Sequence, residues 1–118
     1  MRLTELEPKF LRRLDDTHFQ RVDTIAEADG IQFLCPACWL KNKGPIGTHA
    51  VICWRPEVPQ STFPNPGRWT MQGTSFEDLS LVAGSSSVLI RKTEEEIQKE
   101  GSGDHLHILV TNGEIRFV

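Results

Sequence analysis

Apolar residues in this chain come in short runs broken by Gly, Pro, Asn and Ser, and they almost never keep the spacing of a helix for more than two turns. The pattern predicts a mainly β, small α+β fold: a compact antiparallel domain with one or two short helices. Leu6, Phe10, Leu11 and Leu14 are spaced for a short amphipathic helix with Pro8 in its first turn, or for an extended arm. His18 to Val22 alternates as a strand does, Ile25 to Ala28 reads as a helical turn, and the apolar run Ile31 to Leu34 leads into Cys35. Lys41 to Gly47 reads as a polar turn and His49 to Trp54 as a strand. Leu79 to Val82 and Ser87 to Ile90 read as two strands around Gly84-Ser85-Ser86. Ile108 to Thr111 and Glu114 to Val118 flank Asn112-Gly113, the dipeptide whose positive φ angles suit a tight hairpin. Thr93 with Glu96 three residues later has the form of a capping box, so 93–101 reads as a short acidic helix stopped by Gly101.

One segment resists either pattern. Residues 55–68 hold four prolines, Pro56, Pro59, Pro64 and Pro66. Proline lacks the N–H that a sheet ladder needs, so this segment predicts a surface loop, held by Trp54, Phe63 and Trp69 and suited to meeting a partner. The 118 residues make one domain of modest core, a size that gains from a bound metal.

Composition removes several function classes. Thirteen Lys and Arg against sixteen Asp and Glu give a net charge of −3, without the basic excess that phosphate neutralisation demands, so nucleic acid is an unlikely partner. No apolar run approaches the roughly 20 residues of a membrane span, and the N-terminus lacks the apolar stretch of a secretory signal. Both predict a cytoplasmic protein. Three cysteines, an odd number, argue against a disulfide framework and for metal binding.

Cys35-Pro36-Ala37-Cys38 is the candidate knuckle, since two thiols two residues apart can close on one ion. The linear series Cys35, Cys38, His49, Cys53 has finger-like spacing. His49 and Cys53 bracket a β-prone stretch spanning roughly 13 Å, however, so both can ligate only if that stretch bends. His105 and His107 lie two apart on an expected strand and face one side. The preferred ligand set is therefore Cys35, Cys38, His107 and His105, with Asp104, His49 and Cys53 as alternatives. Thiolates with imidazoles favour one zinc ion over magnesium or calcium, which take oxygen ligands.

Met1-Arg2-Leu3, Leu6-Glu7-Pro8, the run from Gly30 to Cys38, Gly47-Thr48-His49, Cys53-Trp54, Pro66-Gly67-Arg68-Trp69 and Thr111-Asn112-Gly113-Glu114 together resemble a family of small bacteriophage proteins over nearly the whole chain. In that family a C-terminal motif of cysteine, two residues and histidine precedes the Asn-Gly turn. Aligned on the turn, the histidine falls on His107 and the cysteine on Asp104. The departure implies a carboxylate at that ligand position, or His105 in its stead. The resemblance implies phage origin and a zinc-supported fold, and it carries no reaction.

Two function classes follow. In one, a closed structural zinc supports an accessory protein that binds a host or phage protein in the host cytoplasm. In the other, a zinc hydrolase or peptidase-like enzyme keeps an open metal position for water, with Glu77 or His49 as base. No His-Glu-x-x-His helix and no His-x-Glu motif before the cysteine pair supports the second.

Overall fold

The computed structural model describes residues 1–65, 67–84 and 87–118. Its strands are Lys9–Arg13 (β1), Phe19–Val22 (β2), Gly30–Leu34 (β3), Ala50–Trp54 (β4), Trp69–Gln72 (β5), Ser80–Gly84 (β6), Val88–Arg91 (β7), Asp104–Thr111 (β8) and Glu114–Phe117 (β9), with helices Pro36–Asn42 (α1) and Glu94–Glu100 (α2). They form three antiparallel sheets, ordered β2-β1-β3-β4, β5-β6 and β7-β8-β9. The mainly β fold with short helices read from the apolar pattern is the fold observed.

A single buried cluster joins the sheets. Phe10, Ile31, Phe33 and Cys53 come from the first, Met71 and Leu81 from the second, and Leu106, Ile108 and Val110 from the third. On β8 the burial alternates strictly at Leu106, Ile108 and Val110, the signature of a strand with one face on the core. The opening segment follows the extended expectation and not the amphipathic helix with Pro8 in its first turn. Leu3–Leu6 is a 3₁₀ turn that buries Leu3 and Leu6, Glu7 then takes a left-handed conformation at φ 50°, and Leu11 belongs to β1.

Two sequence expectations are corrected. β6 and β7 do not pair with each other: β6 pairs with β5, and β7 with β8. The turn expected between them falls on Ser85 and Ser86, which lie outside the described residues. The knuckle also continues into α1, so Lys41 and Asn42 are helical rather than part of a turn. Cys35 is the N-cap, Pro36 sits at N1 where its missing N–H costs nothing, and Lys43 closes the helix at φ 56°.

Asn112 and Gly113 both take positive φ, 49° and 73°, and connect β8 to β9. Gly113 also packs where a Cβ would meet the Glu77 carbonyl. The Pro-rich segment has no strand among its described residues and is organised by Arg68. This buried guanidinium donates to the carbonyls of Val58, Pro59, Thr62, Pro64 and Gly67 at 2.7 to 3.0 Å. Trp54 Nε1 donates to the Phe63 carbonyl at 3.1 Å and fastens the loop to β4.

Candidate metal centre

The β3–β4 ladder sets the first two members of the site. Its register pairs Leu34 with Ala50, and one step further Cys35 N–H donates to the His49 carbonyl at 2.8 Å. Residues opposite one another in a ladder carry their side chains on one face about 5 Å apart, so Cys35 and His49 meet. The first turn of α1 then brings Cys38 back toward Cys35, because positions three apart in a helix share a face.

The fourth member comes from another sheet. Between Ile90 and Arg91 the β7–β8 register shifts, pairing Ile90 with Leu106 and Arg91 with Asp104, so His105 is the extra residue of a bulge. A bulge re-aims its side chain. His105 Nε2 lies 3.5 Å from Cys35 Sγ, 3.4 Å from Cys38 Sγ and 2.8 Å from His49 Nε2. The ligand atoms of Cys35, Cys38, His49 and His105 all lie within 4.8 Å of one another, a group that can hold a metal ion.

Hydrogen bonds behind the imidazoles prepare them as ligands. His105 Nδ1 donates to Glu96 Oε2 at 2.7 Å, and His49 Nδ1 donates to the Ala50 carbonyl at 3.2 Å. With each Nδ1 proton so engaged, both Nε2 atoms present lone pairs to each other, and two lone pairs at that distance need a cation or proton between them. Two sulfurs on the same point add the donors of a metal shell. Burial and the neighbouring Cys35 push the Cys38 thiol up to about 11, a cost that a bound cation reverses by stabilising the thiolate. The His105 hydrogen bond also holds Glu96 below the ordinary carboxylate range.

The structure therefore brings together Cys35, Cys38 and His105 of the preferred set and replaces His107 with His49. His107 Nε2 instead meets Ser87 Oγ at 3.1 Å. Cys53 lies outside the group too, turned into the core with 1% of its surface exposed, and burial raises its thiol pKa strongly. Asp104 is exposed at the start of β8 and is not a member. Glu77, the other candidate base, sits beside Arg2 and Gly113 instead, its carbonyl accepting from Arg2 Nη2 at 2.6 Å. Glu96 escaped the sequence reading because its capping spacing explains its presence without any site.

Fold and site together define a small antiparallel β protein in which a Cys/His group able to bind metal lies where two sheets meet. No helix is long and apolar enough to cross a membrane. The chain matches no family model, and no match emerges among the curated proteins or the solved structures.

Proposed function

We propose that this chain is a zinc-stapled accessory protein of phage type, working in the host cytoplasm by binding a host or phage protein. The observation that carries the reading is the count of four protein donors around one point, Cys35, Cys38, His49 and His105. Four protein ligands close a tetrahedral shell and leave no position for water, the mark of a structural rather than a catalytic zinc. Two thiolates with two imidazoles suit zinc over the oxygen-seeking cations. Zinc bonds of roughly 2.0 to 2.3 Å at tetrahedral angles set sulfur and nitrogen about 3.6 Å apart; the observed S–N separations are 3.4 and 3.5 Å, and the two Nε2 atoms, 2.8 Å apart, open by about half an ångström to share the ion. The cleft beside Cys38 and His105, about 180 Å³, is smaller than the roughly 300 Å³ at which small-molecule sites begin.

Metal content of the purified protein, prepared without chelators and measured by mass spectrometry, tests the reading. One zinc per chain is expected, lost in Cys38→Ser and His105→Ala and kept in Cys53→Ser and His107→Ala. A metal-free wild type, or zinc lost with His107 and kept without His105, overturns it.

One observation favours the zinc hydrolase as a second reading. His49 is exposed and also lines an open groove, so a substrate in that groove would reach a metal ligand. X-ray absorption on the zinc-loaded protein separates the two: four protein donors support the staple, and three with one solvent oxygen support catalysis.

A further inference from the structure

That groove, about 1080 Å³, runs between β4 and β7, and both strands are sheet edges. On β4, Cys35 N–H bonds to the His49 carbonyl and Arg55 N–H to the Asp29 carbonyl, so odd positions serve β3. Ala50 and Ile52 therefore turn their backbone N–H and C=O groups outward, whereas Trp54 is covered, with 1% of its surface exposed. On β8, Val118 N–H bonds to the His107 carbonyl, which assigns odd positions to β9 and leaves Leu106 and Ile108 to bond Ile90 and Val88. Leu89 of β7 then also presents its N–H and C=O outward, with no ladder partner among the described residues. Exposed strand edges template further strands, and proteins usually blunt them with charge or cover. Here they face a cavity flanked by apolar side chains left in the open: Phe19 at 43%, Phe63 at 75% and Leu89 at 42% exposure.

Charge distinguishes the two ends. At the Trp54 end stand Asp15 and Asp16, tied in by the Phe19–Trp54 ring contact and by Thr62 Oγ1 donating to Asp16. Backbone hydrogen bonding from Thr17, with the His18 imidazole, holds the Asp15 carboxyl down at about 2, so it is anionic at neutral pH, while Asp16 is already paired with Arg13 at 2.6 Å. At the other end Arg91 is exposed and has no salt bridge among the described residues; its ladder partner Asp104 precedes His105, which His49 meets at 2.8 Å.

We propose that the groove binds an extended segment of a partner protein, which adds a strand to β4, lays alternate apolar side chains on Phe19, Phe63 and Leu89, and places a basic residue at Asp15 and a carboxylate at Arg91. β4 is five residues long and spans about 17 Å, so the segment covers five or six residues. The proposal rests on the reading of the chain as a protein-interaction module and names where and what it binds.

The test uses zinc-loaded protein and a displayed library of random ten-residue peptides, the enriched sequence then being synthesised. Enriched peptides should alternate apolar residues, lack proline in the middle and carry opposite charges at their ends. Binding should shift the amide resonances of Ile52 and Leu89. Affinity should fall at least tenfold on N-methylating alternate peptide amides, on Leu89→Arg, and on Arg91→Glu, the last recovered by a peptide with its carboxylate changed to lysine. Leu89 and Arg91 are exposed, so unchanged melting temperatures will show that both variants fold. No enrichment over an unrelated protein, or equal affinity for both variants, overturns the groove. Peptides whose shifts map to the 55–68 loop or to α2 overturn it as well while leaving the interaction reading intact. A concentration-dependent dimer that Leu89→Arg dissolves would give the groove to a second copy and overturn the partner segment.

Discussion

Glu96 holds two jobs with one carboxylate. Its Oε1 accepts from the Thr93 N–H and hydroxyl at the start of α2, and its Oε2 takes the Nδ1 proton of His105. A carboxylate behind a ligating histidine fixes the tautomer and makes the ring more basic, and losing it costs about 10- to 100-fold in metal affinity. Glu96→Gln keeps a cap acceptor and removes the charge, so zinc affinity measured by competition with a chromophoric chelator should fall within that range. Thr93→Ala weakens the cap by about 1 kcal/mol and should leave the affinity within a few fold. Equal losses in the two variants would show that Glu96 acts only through helix stability. At this scale the sequence exposed the thiols and His105 but named His107 where the structure places His49. The argument that His49 and Cys53 cannot share one ion holds in the structure, and it removes Cys53, which the core claims. His49 stands opposite Cys35 in the ladder, a register that needs the pairing of β3 with β4 to be known.

Among the elements, the hairpin around Asn112-Gly113 was readable from two residues, because few dipeptides accept two positive φ angles in succession. The strand β5 was not readable. Trp69 to Gln72 is short and follows the Pro-rich segment, and it pairs with β6 across a 73–79 turn that lacks a hairpin dipeptide and is closed by Asp78 accepting from the Thr74 and Ser75 N–H groups. The loop before it depends on a long-range feature. Arg68 spends its donors on five loop carbonyls, taking the place of the ladder that the prolines forbid. Lysine offers three donors from a point where arginine offers five in a planar fork, so Arg68→Lys leaves buried carbonyls unpaired. With each such group costing about 1 to 3 kcal/mol, urea unfolding should show a loss on the order of 3 kcal/mol at an unchanged m-value. A loss below about 0.5 kcal/mol, the size expected of an ordinary surface substitution, would show that water replaces the guanidinium and that the loop holds itself.

For the molecule as a whole, the ligands show what a metal would join. Cys35 and Cys38 belong to the N-cap and first turn of α1 and His49 to the approach to β4, whereas His105 belongs to β8 of the third sheet. An ion bound there ties the two sheets across the junction beside which the groove opens. Removing an ion that binds only the folded state withdraws RT ln(1 + [L]/Kd), about 4 kcal/mol at a thousandfold excess over Kd. For a chain of this length that corresponds to a melting temperature lower by on the order of 10 to 20 °C. Chelation should produce that drop, and hydrogen exchange should quicken first at β8 and at the β3–β4 end near Cys35. The β1–β2 hairpin, whose end at Asp15 to His18 is held by its own hydrogen bonds, should keep its protection longer. A uniform loss would describe one cooperative unit without a local staple, and an unchanged melting temperature would mean that the four donors carry no folding energy. The predicted order follows from topology: an ion there would link sheets otherwise joined by the packed core and by the N-terminal segment, whose Leu3 N–H and Met1 carbonyl bond to Gly113 and Ile115, and the strands nearest that link have most to lose with it.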